Sequence, residues 1–438
     1  MFGCLVDTLL LQLLVIILTS RAFGLLFRKY LALPYVLGEM LAGIALGPSL
    51  LGAIFPALEQ YIFPTSSLGT LYVMSQIGLI LYMFMTGLTF RLDTVSGQKK
   101  EIVLMTVLGY LCPLIAGIAL SQYLMSCSLL KSAPDNWNVV FFFSTVLTST
   151  ALPVLSRVLE ELKIAGTRLG TRCMLVAAIT DIIGCAFITI TTAATNPPHA
   201  ALMFLGMVAL LSSLLMVFGK RIFAFFERWQ KRDNGLSETT FAFVLCLLFA
   251  CVLVAEQFKI QPVFTAFALG AVLPRGSFGE AICKKLHGVT VVLLLPIFLT
   301  FSGLNTKIWM LNSLPLVTIT VCITAIACLS KIVGCATASK LSGEPWRVAL
   351  GTGALMNSRG MIGLVILNLG FQLGLITQPL FTVLAIMDLV TTVIAPPLFL
   401  KFLGTSALVD LRTENVMNNA KKGRTGKLTL REHESSTC

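Results

Sequence analysis

Long apolar runs dominate the chain, recurring every 25 to 35 residues from the N-terminus to about position 400. Thirteen of them approach the ~20 residues that a helix needs to cross a bilayer core. They cover 4–27, 32–51, 68–90, 102–124, 138–156, 169–193, 199–219, 239–257, 261–274, 287–304, 312–339, 348–371 and 379–400, the ninth being short. The pattern predicts an all-α polytopic membrane protein with one transmembrane domain over 1–402. From 403 to 438 the chain is polar and basic without apolar periodicity, which predicts a disordered tail free to touch anionic lipid. The first run reads as a retained span: its apolar core is long, and Arg21, Arg28 and Lys29 follow it rather than precede it.

The basic residues orient these spans. Of 32 Lys and Arg, 26 fall in one set of alternating loops plus the tail. The opposite set holds only Lys131, Lys259 and Lys307, and Arg21, Lys331 and Arg359 lie within spans. The bias places the N-terminus outside and the C-terminus in the cytoplasm of a plasma-membrane protein. Spans 1–6 and 8–13 then form halves of opposite orientation joined by span 7, the inverted-repeat plan of many secondary transporters. Spans 5 and 12 correspond, and both are interrupted: at Thr148-Ser149-Thr150-Ala151-Leu152-Pro153 and at Asn357-Ser358-Arg359-Gly360. Broken helices in matching positions point to a binding site near the midplane.

Charges inside the spans sharpen that picture, because a carboxylate at the bilayer centre costs at least ~2.5 kcal/mol. Asp181 lies nine residues from Arg172, and Lys331 nine from Lys340. Both therefore sit ~13 Å from the cytoplasmic side, which predicts an Asp181–Lys331 pair. Arg359 and Asp388 match in depth and form a second candidate pair, and Glu39 lies ten residues from Lys29 before a Gly-rich stretch. Each charge also has a purely structural reading. Arg359 in particular would neutralise the carbonyl ends of the broken helices, and the Thr148, Ser149 and Thr150 hydroxyls could simply back-bond to their own helix.

Composition narrows the function further. Charged residues make up 12%, against ~25% in an average soluble domain. The net charge of +12 is dealt out between spans, not gathered on one face as nucleic-acid binding would need. Twelve cysteines lack CxxC or Cys/His spacing, and the three histidines fall in loops or the tail, so neither a metal centre nor a cofactor is expected. HExxH, GxSxG and phosphate-cradling GKS or GKT motifs are absent, which argues against an enzyme. What is left is transport. A dehydrated monovalent cation needs oxygen ligands and one balancing carboxylate. If a proton on that carboxylate excludes the cation, one residue serves both.

Several segments resemble, in order, the monovalent cation:proton antiporter-2 family, which includes the glutathione-regulated potassium efflux proteins. They are Leu33-Pro34-Tyr35-Val36-Leu37-Gly38-Glu39 with Gly47-Pro48-Ser49-Leu50-Leu51-Gly52, Thr148-Ser149 with Pro153-Val154-Leu155-Ser156-Arg157, Lys331-Ile332-Val333-Gly334, and Met356-Asn357-Ser358-Arg359-Gly360. No one motif decides the matter; the ordered set, over about residues 5 to 400, is specific. The resemblance implies a sodium/proton-antiporter fold with two crossing broken helices, an elevator-like core and a homodimer formed largely through the first span and the connector region. It also implies that Asp181 carries the ion and that Lys331 pairs with an acid. Many members place Asp, Asn or Gln before the key Asp, where this chain has Thr180. A single acid there makes one-for-one, electroneutral exchange the simpler expectation. Asp388 stands where a small apolar residue is expected. The leading expectation is a K⁺ or Na⁺/H⁺ antiporter. The alternative is a ligand-gated potassium efflux pathway served by a separate regulatory subunit, and a third is a sodium-coupled symporter or a sensor on the same fold.

Overall fold

The computed structural model describes residues 2–31, 34–90, 97–127, 129–130, 137–191, 206, 237–257, 260–273, 277–304, 314–359, 363, 366–367, 370–371 and 373–435. All of the expected seventh span except Gly206, and Gly360 of the second break, lie outside the described residues. In chain order the helices are α1 (Phe2–Leu31), α2 (Tyr35–Leu46), α3 (Leu51–Ile54), α4 (Pro56–Ile62), α5 (Thr65–Thr89), α6 (Lys99–Ser126), α7 (Trp137–Thr148), α8 (Leu152–Glu161) and α9 (Arg168–Thr191). Then come α10 (Glu238–Gln257), α11 (Pro262–Val272), α12 (Ser277–His287), a π segment (Gly288–Leu294), α13 (Leu295–Leu304), α14 (Leu314–Leu341), α15 (Trp346–Leu355) and α16 (Gln378–Ser435).

Among the described residues, ten helices are long and apolar enough to cross a membrane, so the count of thirteen is not reached. The ninth run forms only the eleven-residue α11, and the described residues of the twelfth include α15 and helical residues at 363, 366–367 and 370–371. The fifth run extends to Glu161, past the expected end at 156. Hydropathy stops it early because Arg157, Glu160 and Glu161 are polar, yet all three are held in ion pairs or hydrogen bonds at that end. At the C-terminus, α16 kinks at Gly404 (φ 77°) and continues to Ser435, where the sequence predicts disorder. Ala, Leu, Lys, Arg and Glu in that stretch favour helix without needing an apolar face. Its beginning is docked: Leu403 and Leu408 are buried, and Arg412 Nε donates to the Leu162 carbonyl at 3.0 Å.

The helices sort into two groups. In one, α1, α2, α5, α11, the π segment and α13 pack together. In the other, α6, α7, α9, α14, α15 and α16 surround the two breaks. Helix α8 joins the groups, touching α9 on one side and α2 and α5 on the other. Close helix crossings depend on missing side chains, as membrane packing favours. A methyl group on Gly87 of α5 would meet the Phe267 carbonyl of α11, and one on Gly270 of α11 would meet that of Phe84 in α5. The π segment precedes Pro296, which lacks the N–H that would carry the i→i+5 register on to the Val291 carbonyl. Arg21 Nη2 fills the gap, donating to Val292 at 3.4 Å and Val291 at 3.5 Å.

Candidate ion-binding site

The first break is dictated by Pro153, which cannot donate to the Ser149 carbonyl and whose ring crowds it. In the first turn of α8 the lost N–H matters little, so the helix restarts there with its amides free. Two helix ends of opposite polarity therefore face each other: the carbonyl end of α7 and the amide end of α8. Basic groups cap the first. Lys331 Nζ donates to the Thr148 carbonyl at 2.6 Å, and Arg359 donates through Nη1 to Val146 at 3.1 Å and through Nη2 to Leu147 at 2.7 Å. An acid meets the second: Asp181 Oδ2 accepts the Leu152 amide at 3.4 Å.

The two breaks are joined to each other. Ala151 N donates to the Ser358 carbonyl at 2.8 Å, and Thr150 Oγ1 donates to the Met356 carbonyl at 3.2 Å. Thr392 of α16 lies 2.9 Å from both the amide and the carbonyl of Arg359, which fixes the second break against α16.

The expected Asp181–Lys331 ion pair does not form; each partner instead serves a helix end, though the two remain electrostatic neighbours. Arg359 Nη1 lies 3.5 Å from Asp388 Oδ1. Thr148, Ser149 and Thr180 donate their hydroxyl protons to carbonyls three residues back, at 2.7, 3.0 and 3.0 Å. Their lone pairs, not their protons, are what a cation could use. Asn357 Oδ1 and Ser358 Oγ are buried without a hydrogen-bond partner among the described residues, which adds two oxygens at the second break. Asp181 keeps 5% exposure, whereas Lys331 is at 0% and Arg359 at 1%. Glu39 stands apart in the other helix group, 3.8 Å from Arg21 and facing Arg157 and Glu161 of α8.

Several participants carry no signal in hydropathy. The caps on α7 are backbone carbonyls, and Thr392 is one threonine among many. Arg172, at the start of the sixth span, is counted with the basic residues of the adjoining loop, yet it is buried in a tight ion pair with Glu101 and a second, at 3.2 Å, with Glu344.

Comparison with known proteins decides the family. The family described as sodium/hydrogen exchanger, transmembrane, matches residues 14–401. The chain belongs to the sodium/hydrogen exchanger family. Within it, the Na(+)/H(+) antiporter NhaS4 of Synechocystis is 32% identical over 401 residues, spanning 90% of this chain and 98% of that one. The Na(+)/H(+)-K(+) antiporter GerN of Bacillus cereus is 26% identical over 88% and 94% of the two chains. Arabidopsis Cation/H(+) antiporter 18 is 29% identical, and this exchanger chain spans 48% of its length. The sodium proton antiporter MjNhaP1 of Methanocaldococcus jannaschii has the same fold, with a TM-score of 0.60 at 16% identity over 92% of this chain and all of that one.

Proposed function

We propose that this chain exchanges a monovalent cation, Na⁺ or K⁺, for protons across the membrane, with Asp181 as the site that both occupy in turn. The observation that carries the reading is the position of Asp181 against the amide end of α8, beside the capped carbonyl end of α7. Protonation of Asp181 removes the charge that balances a cation. Binding of one therefore requires release of the other, and one proton per cation follows at this site. Oxygens of Thr148, Ser149, Asn357 and Ser358 at the two breaks supply ligands, while Lys331 and Arg359 hold α7 so that the gap keeps its width. Antiporters for Na⁺ and for K⁺ among the relatives favour exchange over a ligand-gated pathway.

The excess of basic residues in alternate loops supports a C-terminus on the cytoplasmic side of the membrane, which we take to be the plasma membrane. A second copy of the chain packs on α1, whose Leu10, Leu14 and Leu18 are exposed along one face. The deciding experiment is cation-driven pH change in proteoliposomes bearing Asp181→Asn. Exchange should be abolished while expression and elution profile persist; surviving exchange rejects Asp181 as the site.

A further inference from the structure

Asp388 is a buried carboxylate to which the Asp181 site gives no task. It follows Arg359 by the same interval in sequence by which Asp181 follows Leu152. In the inverted-repeat plan α16 stands in the second half where α9 stands in the first. Each acid thus meets a residue of its own repeat's break.

The surroundings of the two acids differ. Asp181 accepts an amide. Among the described residues, neither oxygen of Asp388 accepts a well-formed hydrogen bond, although the residue is 3% exposed. It packs so closely on Gly363 that a methyl group there would overlap Oδ2. Arg359, 3.5 Å away, is the charged group that faces it among the described residues. That guanidinium has two duties: it caps the Val146 and Leu147 carbonyls, and the same Nη1 leans toward Asp388. An ionised Asp388 competes with the carbonyls for Arg359 and cancels its charge. A protonated Asp388 does neither.

We propose that Asp388 is a second proton-binding carboxylate of the exchanger, whose proton decides how firmly Arg359 caps α7 beside the cation site. The inference rests on Asp181 being the shared site. With Asp388 protonated, the charge of Arg359 is uncompensated next to α7 and cation binding weakens. With it ionised, the charge is offset and the carbonyls of α7 are freed. Two protons then oppose one cation: one on Asp181 by exclusion, one on Asp388 through Arg359. Asp388 is a positioning residue in this scheme, since it need not touch the ion.

The test is the apparent KM for Na⁺ and for K⁺ in proteoliposomes as a function of pH. On the acid side, KM of the unaltered protein should rise more than about 10-fold and up to about 100-fold per pH unit, and that of Asp388→Asn about 10-fold, since one linked proton has been removed. Asp388→Glu should restore the steeper dependence. Equal slopes for the unaltered protein and Asp388→Asn would overturn the proposal. Exchange surviving Asp181→Asn would reject the shared-site reading itself, whereas exchange lost in Asp181→Asn with equal slopes rejects Asp388 alone. If Asp388→Asn does not fold, calorimetry of the unaltered protein in buffers of different ionisation heat counts protons released per cation bound. More than one at acid pH supports the second site; one or fewer overturns it.

Discussion

Lys331 shows how a residue found by its charge can have a partner the sequence hides. Equal depth in two helices suggested a pair with Asp181, but depth along an axis says nothing about direction around it. Its ammonium instead ends on the Thr148 carbonyl. A charge-assisted bond of this kind contributes about 1.5–3 kcal/mol. Lys331→Gln should therefore lower the melting temperature in detergent and reduce exchange by at least about tenfold, a loss of about 1.4 kcal/mol of transition-state stabilisation. Arg172 is the opposite case, a charge that looked solvated and is buried between Glu101 and Glu344. Removing one partner of a buried pair costs about 3–5 kcal/mol because the other is stranded. Arg172→Ala should give a protein that aggregates on size-exclusion chromatography, while Arg172→Lys should be recovered in part. The four charges at the breaks were legible because apolar spans make any charge conspicuous. The carbonyls they serve were not, because every residue has one.

At the scale of helices, the first break was legible from Pro153 and the second from a polar cluster inside an apolar run. Helix ends were less so. Hydropathy counts Arg157, Glu160 and Glu161 as solvent-facing, whereas packing against α2 and α5 lets them continue α8. Reciprocal contact between Gly87 and Gly270 makes a sharper prediction about helix pairing. Each backbone sits where the other's side chain would be, and overpacking of this sort costs about 1–3 kcal/mol. Gly270→Leu should separate α5 from α11 and lower thermal stability measurably. Gly69, with open space around its Cβ position, should accept Ala without loss. Equal melting temperatures for the two variants would show that the contact is not tight.

For the molecule as a whole, the all-helical membrane fold and the family were legible in the order of spans, but the division into two packed groups was not. That division depends on contacts between helices far apart in sequence. Motion of one group against the other strains the contacts of α8, whose Glu160 accepts a hydrogen bond from Tyr82 of α5 at 3.0 Å and whose Glu161 accepts from the Val36 amide of α2 at 3.1 Å. Tyr82→Phe removes one of these ties without touching Asp181. It should change the turnover rate at least about twofold, equivalent to roughly 0.4 kcal/mol, and leave the KM for the cation unchanged. A shift in KM with constant turnover would instead mean that Tyr82 acts on the site. The join between the two breaks has a consequence for descent. Ala151 and Ser358 meet through main-chain atoms, and the caps on α7, supplied by the Lys331 and Arg359 side chains, all end on main-chain carbonyls. Such a framework is indifferent to most of the side chains hung on it. A chain can therefore differ at the great majority of its positions, as at 16% identity to MjNhaP1, and still adopt the same fold.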